Sequence, residues 1–152
     1  TNPDGIIKDN TMIKAFNHSI NDGVLFNYTS NIITGKMEAD IEGMISILYA
    51  YWGAVSQVFK DDWKLQPNKT RLTHGAGIIG LSFVMEELIY KVGEKDFYIA
   101  QDFLPYIESL GEKCSWSSGK WDFGGSNVRD ALDIQNVNKD ISMLTQYLMS
   151  NI

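Results

Sequence analysis

The sequence predicts an all-α domain of about five helices packed around a central buried helix, and it leaves room for one short extended segment. Apolar residues recur at spacings of three and four residues in five segments. One of these, residues 73–91, is apolar on more than one helical face, which is typical of the most buried helix of a domain. Residues 24–33 are the one β-prone stretch, so helix should dominate.

Length and charge narrow the class of protein. A chain of 152 residues predicts a single helical domain over residues 1–152. The first residue is Thr1 rather than a methionine, so the sequence is also compatible with the C-terminal part of a longer protein. A formal net charge of −6 argues against tight nucleic-acid binding by this chain alone, because such affinity comes mainly from neutralising phosphates.

The cysteine content and the apolar runs point to a cellular compartment. Cys114 is the single cysteine, which excludes an internal disulfide and a site of several thiolates and favours a reducing environment. No apolar run approaches the length of about 18–20 residues that crosses a bilayer, and no signal peptide opens the sequence. We therefore expect a cytoplasmic protein without membrane contact.

The first part of the chain predicts two helices and an extended connection. Asn10 or Thr11 is a suitable N-cap for a helix over residues 12–21. Residues 24–33 should be extended, forming at most one strand. A long helix is expected over residues 35–59, with Ile41 and Ile45 on its inward face.

The central helix and its successor follow. We expect the central helix over residues 73–91, with Leu81 and residues 83–85 among its least exposed positions and Gly93 at its C-terminal cap. Residues 96–110 predict another amphipathic helix, with a kink or a restart near Asp102 because Pro105 lies in its interior.

The remaining third of the chain contains a long loop and a last helix. Residues 112–127 are rich in Gly, Ser and Trp and are long for a loop in a compact domain, which indicates either function or mobility. The tryptophans there could stack on a ligand, although loop tryptophans more often fix a loop to the body of the protein. Asn127 can cap a short turn through Leu132, and Asn138 can cap a helix over residues 140–150.

Residues 75–80 spell G-x-G-x-x-G, the fingerprint of dinucleotide-binding folds. That fingerprint requires a buried strand in front of it, whereas residues 69–74 are polar and basic. The glycines are better explained by close packing of another helix, so a larger side chain at Gly77 or Gly80 should destabilise the protein. No cofactor is expected.

The lead into this helix carries the best candidate site. Lys69, Arg71, Thr73 and His74 lie beside a predicted helix N-terminus, where side chains and free N–H groups could hold a phosphate or carboxylate. The alternative is structural, with Thr73 capping the helix, Arg71 paired to an acid, and His74 hydrogen-bonded within the fold. His18 has no second ligand at a metal-binding spacing, so no metal site and no catalytic residue are predicted.

Three stretches resemble the C-terminal helical portion of the DGQHR-domain family, which includes DndB-like proteins associated with DNA modification. They are residues 49–63 (YAYWGAVSQVFKDDW), 69–85 (KTRLTHGAGIIGLSFVM) and 134–148 (IQNVNKDISMLTQYL). The family's N-terminal part resembles the ParB fold and carries an Asp-Gly-Gln-His-Arg signature. That signature is absent here, since residues 4–6 and 22–24 share only its first two letters.

The resemblance implies a context in bacterial DNA modification, defence or mobile elements. The expected function is a non-catalytic helical accessory or interaction module that packs on a ParB-like N-terminal domain of the same protein or on a sister copy. Two alternatives stay open. The chain could complete a nucleotide- or anion-binding enzyme site together with an absent N-terminal domain, or it could be a plain homo-oligomerisation domain.

Overall fold

A computed structural model describes residues 6–29 and 40–152 of the chain. The described residues form six α-helices, two 3-10 helices and one small antiparallel hairpin, which confirms the all-α fold class. The helices are α1 (Asp9–Asn21), α2 (Ile41–Val58), α3 (Lys60–Trp63), α4 (Gly75–Val92), α5 (Ala100–Gly111) and α6 (Asn138–Met149). The hairpin pairs β1 (Lys120–Asp122) with β2 (Val128–Asp130), and the 3-10 helices cover Val24–Tyr28 and Ala131–Asp133.

Helix α4 lies at the centre, as predicted. It packs against α1 on one side and α6 on another, while α2 pairs mainly with α5. Twelve of its eighteen residues are buried, including Leu81, Val84 and Met85. Phe83 is an exception to the prediction, because its ring lies half-buried against α1 rather than in the core. Among the described residues, no helix combines the length and apolar character needed to cross a membrane.

The predicted extended segment near the N-terminus is wrong where it can be compared. Residues 24–28 form a 3-10 helix, and Leu25 within this helix is buried. The Val24 N–H donates to Oε2 of Glu86 on α4 at 2.7 Å, so a long-range contact, rather than β propensity, sets this conformation. The rest of the predicted segment lies outside the described residues.

The starts of α1 and α2 also differ from expectation. Helix α1 begins at Asp9 with Lys8 at the N-cap, which places the predicted caps Asn10 and Thr11 inside the helix. Asp40 caps α2, and its carboxylate accepts a hydrogen bond from the Gly43 N–H at 2.9 Å. The predicted start of α2 at residue 35 falls outside the described residues.

The C-terminal end of α4 and the start of α5 are each determined by local structure. Gly93 follows α4 with a φ of 84°, the left-handed conformation predicted for this cap. Helix α5 begins at Ala100 rather than at the predicted residue 96, because the Asp102 carboxylate caps it by accepting from the Ile99 N–H at 2.9 Å. The helix then continues through Pro105 to Gly111.

Residues 112–127, predicted to be a loop, contain strand β1 and continue directly into β2. Trp116 and Trp121 are buried, with their rings edge to face at 5.1 Å between centroids. Trp121 also meets Tyr147 of α6 edge to face at 5.5 Å. These contacts support the prediction that the tryptophans fix this segment to the body.

The caps predicted near the C-terminus are wrong in position. Asn127 precedes β2 rather than a turn through Leu132. Asn138 is the first residue of α6, and Val137 occupies the N-cap without a side-chain hydrogen bond.

Candidate functional site

Arg71 lies in the lead to α4 and acts as a tether between three parts of the chain. Its Nη1 donates to the Pro67 carbonyl at 3.0 Å, and its Nη2 donates to the Leu132 carbonyl. Its backbone N–H donates to the Trp116 carbonyl at 2.7 Å. Burial, opposed by Asp133, lowers the pKa of the guanidinium, although it stays charged at neutral pH. Only Nε lacks a hydrogen-bond partner among the described residues.

Thr73 is likewise engaged within the protein. It is buried, and its hydroxyl donates to the Leu65 carbonyl at 2.8 Å instead of capping α4. Lys69 is exposed to solvent. Two of the predicted anion-binding residues, Arg71 and Thr73, therefore already satisfy protein carbonyls.

His74, rather than Thr73, caps α4. Its Nδ1 accepts a hydrogen bond from the Ala76 N–H at 3.3 Å. Burial lowers the pKa of His74, and the nearby charges of Arg71 and Lys8 lower it further. A lowered pKa favours the neutral ring, which Nδ1 requires in order to accept this hydrogen bond. The anion-binding role of Lys69, Arg71, Thr73 and His74 stays a prediction, since the structure shows their structural contacts alone.

The glycines of the G-x-G-x-x-G string serve close packing. A Cβ on Gly77 would lie 1.9 Å from the Arg71 carbonyl oxygen, so the backbone of the lead crosses α4 at this residue. A Cβ on Gly80 would lie 3.4 Å from Oγ1 of Thr145, an ordinary distance to α6. Helix packing therefore does not require a glycine at Gly80, although this residue faces α6, whereas Gly77 accommodates the close approach of a loop. No strand precedes α4 among the described residues.

A mainly apolar trough lies between α1 and α2, and it is here called the α1–α2 groove. It encloses about 410 Å³. Its walls are the apolar side chains of α1 and α2, and its floor is formed by side chains of α3 and α4. The lining residues are Ile7, Met12, Phe16, Ile45, Leu48, Tyr49, Trp52, Gly53, Ser56, Trp63 and Ile78.

Aromatic rings form one side of the α1–α2 groove. Trp52 and Trp63 lie 5.9 Å apart with a 34° tilt, and Phe16 meets Trp52 edge to face at 6.4 Å. Nε1 of Trp52 is buried and has no hydrogen-bond partner among the described residues. At the rim, the side chain of Tyr49 is 79% exposed and that of Ile45 is 43% exposed.

Sequence reasoning missed this groove because it assigned the whole apolar stripe of α2 to the core. Ile41 and Ile45, both predicted to face inward, are exposed. The sequence did contain a sign of the groove, because Tyr49 and Tyr51 make the apolar stripe of α2 wider than one packing face can cover. Tyr51 is fully buried, and its hydroxyl donates to the Leu81 carbonyl.

A second feature that the sequence did not reveal lies where α1 meets α4. The imidazole of His18 stacks on the ring of Phe83, with centroids 4.0 Å apart and planes 22° apart. Burial lowers the pKa of His18, and the nearby Glu86 and the Ser82 carbonyl oppose this effect. His18 therefore has a defined structural environment.

The described residues contain no group of three or more His, Cys, Asp or Glu side chains arranged to hold a metal ion. Burial raises the pKa of the Cys114 thiol, which keeps it protonated and weakly nucleophilic at neutral pH.

Comparison with known proteins adds no relative. No family model matches the chain, and no curated protein or solved structure shows significant similarity to it.

Proposed function

We propose that this chain is a non-catalytic helical interaction module of a DGQHR-like bacterial protein linked to DNA modification, defence or mobile elements. Its α1–α2 groove receives an amphipathic helix from the ParB-like N-terminal domain of the same protein. The observation that carries the proposal is the groove itself, an apolar trough whose rim side chains Tyr49 and Ile45 are left in water. The bacterial context rests on the resemblance in three stretches of sequence.

The dimensions of the groove suit a helix. Its α2 wall runs from Ile45 to Ser56, which corresponds to three turns and about 16 Å of helix. Its walls belong to two helices that each pack mainly on other partners, α1 on α4 and α2 on α5. A partner helix with apolar side chains at positions i, i+3 or i+4, and i+7 would fill such a trough, as in other helix-in-groove complexes.

The polar candidates support an accessory rather than a catalytic role. The hydrogen bonds of Arg71 and Thr73 to the carbonyls of Pro67 and Leu65 hold the segment between α3 and α4 in place. An anion that took over one of the donors in use would have to displace its bond, at about 1.5–3 kcal/mol where the donor is the charged guanidinium, whereas Nε of Arg71 has no partner among the described residues. A partner that covers the apolar rim of the groove would displace no such hydrogen bond.

The experiment begins with the full reading frame that encodes this chain. If Asp-Gly-Gln-His-Arg is encoded upstream, the two domains are produced separately and their binding is measured by isothermal titration calorimetry at neutral pH. Tyr49→Lys should weaken binding at least tenfold, because it puts a charge on the apolar rim. Tyr90→Lys is the matched control, since Tyr90 is 88% exposed on α4 and does not line the groove.

Three results would contradict the proposal. The first is an upstream sequence without the signature, the second is an N-terminal domain that does not bind, and the third is equal binding by the two tyrosine variants. Self-association that Tyr49→Lys abolishes would identify a sister copy as the occupant and would replace the ParB-like domain in the proposal.

A further inference from the structure

We propose that His18 and Glu86 form a proton-operated latch that holds α1 on α4 at neutral pH and releases it on acidification. The inference rests on the proposed function in one respect, because α1 supplies a wall of the α1–α2 groove and its release would weaken partner binding. The latch itself is a property of the isolated chain, so it can be tested without any partner.

His18 is packed as an apolar ring. It stacks on Phe83, and both ring nitrogens are buried without a hydrogen bond of good geometry among the described residues. A neutral imidazole tolerates this environment better than a charged one, because desolvation penalises the imidazolium. The fall in the pKa of His18 on burial agrees with this geometry.

Glu86 is placed to stabilise the protonated ring but is held by another contact. Its Oε2 accepts the Val24 N–H at 2.7 Å, and a Cβ on Gly23 would lie 2.5 Å from the same oxygen. Its Oε1 is buried without a hydrogen-bond partner among the described residues. Turning this carboxylate towards an imidazolium would break the contact that fixes the 3-10 helix Val24–Tyr28 to α4.

The other charged groups near α1 do not take over the effect of Glu86 on the His18 ring. On α4 it is Glu86 whose charge acts on His18, and the 3-10 helix packed beside α1 carries no acidic or basic residue. Lys14 and Asp22, on and just after α1, are exposed. At the other end of α1, the charge of Lys8 acts on His74, which makes His74 the second histidine that can respond to pH there.

The sign of the effect follows from linkage. When α1 leaves α4, the His18 ring enters water and its pKa returns towards the ordinary value of 6.5. Because the packed ring has the lower pKa, protons bind preferentially to the released state. Stability of the α1 contact is therefore present above about pH 6.5 and is lost as the pH falls below it. Met12 and Phe16 move with α1, so the wall of the groove opens with the latch.

The test is hydrogen–deuterium exchange by mass spectrometry on the isolated chain at pH 7.5 and 5.5, with rates corrected for intrinsic exchange. Peptides from α1 (Asp9–Asn21) should lose protection on acidification, by at most about tenfold because the released histidine titrates over only one unit in this range. Peptides from α6 (Asn138–Met149) serve as the internal reference and should change less.

Two variants separate the latch from other causes. His18→Phe keeps the stacked shape, removes the titrating group, and should abolish the selective loss of protection in α1. His74→Gln should leave that loss in place, which would assign the effect to His18 rather than to the N-terminal end of α1. Loss of protection that is absent, equal in α6, or unchanged in His18→Phe would overturn the latch. Because no partner is present, none of these results bears on whether the groove binds the ParB-like domain.

Discussion

Replacing Gly77 by Ala tests whether the lead to α4 determines the shape of this domain. The added Cβ would lie 1.9 Å from the Arg71 carbonyl oxygen and 2.7 Å from that of Leu72. Both are backbone atoms, and the segment is held by the hydrogen bond from the Arg71 N–H to the Trp116 carbonyl. The segment would have to move by more than 1 Å, roughly, to restore an ordinary contact distance of about 3.5 Å.

The expected magnitude combines two opposing contributions. Overpacking of a tight contact costs about 1–3 kcal/mol and sometimes more, whereas Gly to Ala within a helix gains up to about 1 kcal/mol. Because the Gly77 contact is with anchored backbone, we place the cost at the upper end and expect a net loss of about 2 kcal/mol. For a domain of this size, that loss lowers the Tm by about 4–8 °C.

Gly80→Ala is the matched control in the same helix. Its Cβ would lie 3.4 Å from Oγ1 of Thr145 and 3.7 Å from side-chain atoms of Leu144 and Leu148, which are ordinary contacts. The gain in helix propensity should therefore dominate, and the Tm should rise by about 2–4 °C. This corrects the expectation from sequence that any larger side chain at Gly80 would be harmful, at least for Ala. Thermal unfolding followed by circular dichroism at 222 nm compares the variants, and a Gly77→Ala protein as stable as Gly80→Ala would refute the reasoning.

Three further predictions concern charge. Arg71→Lys should lower the free energy of unfolding in urea by about 1.5–3 kcal/mol, because one ammonium cannot donate to both carbonyls that the guanidinium reaches. Lys69→Ala, at an exposed position, should change this free energy by less than about 0.5 kcal/mol. Asp140→Asn should be less stable than the natural protein at pH 7, since Arg129 lowers the pKa of Asp140 through a hydrogen bond of 2.7 Å. That difference should shrink as the pH falls below 3.8 and the natural carboxyl takes up its proton, as urea titrations at several pH values would show. Finally, fluorescence anisotropy at about 150 mM salt should detect no binding of labelled duplex or single-stranded DNA at micromolar protein, and sub-micromolar affinity would contradict the accessory role.

The parts of the fold that sequence predicted are those fixed by periodicity. The apolar run in α4 covers so much of the helix surface that burial follows directly, and its C-terminal cap at Gly93 follows from the need for a left-handed residue. The stripe of α5 placed Phe103, Ile107 and Leu110 in the core for the same reason. Such signals are local, so a single sequence contains them.

The parts that sequence missed depend on contacts between distant residues. The 3-10 helix Val24–Tyr28 is held by Glu86, sixty-two positions away, and no local pattern encodes that hydrogen bond. The predicted cap at Thr73 failed because the Leu65 carbonyl takes the hydroxyl, leaving His74 to cap α4. The hairpin was hidden because β1 and β2 have three residues each and are stabilised by the packing of Trp121 on α6.

The candidate site at the lead to α4 also depends on contacts between distant residues, which the sequence does not show. Residue types near a helix N-terminus suggest what a site could bind, but only the structure shows whether their hydrogen bonds are already used. The observed partners of Arg71 and Thr73 are the carbonyls of Pro67, Leu132 and Leu65. The groove escaped notice because the sequence pattern shows that α2 is apolar and does not show which of its faces has a neighbour.

The two surfaces differ most in what an incoming partner would have to do. At the lead to α4, a ligand that takes the donors already in use on Arg71 and Thr73 must compete with protein carbonyls, and breaking one such bond leaves a carbonyl unsatisfied at about 1–3 kcal/mol. At the α1–α2 groove, a partner displaces only water from apolar side chains, which gains about 25 cal/mol for each Å² buried. Covering about 100 Å² there would match one such broken bond. We therefore expect association through the α1–α2 groove rather than anion capture at the lead to α4.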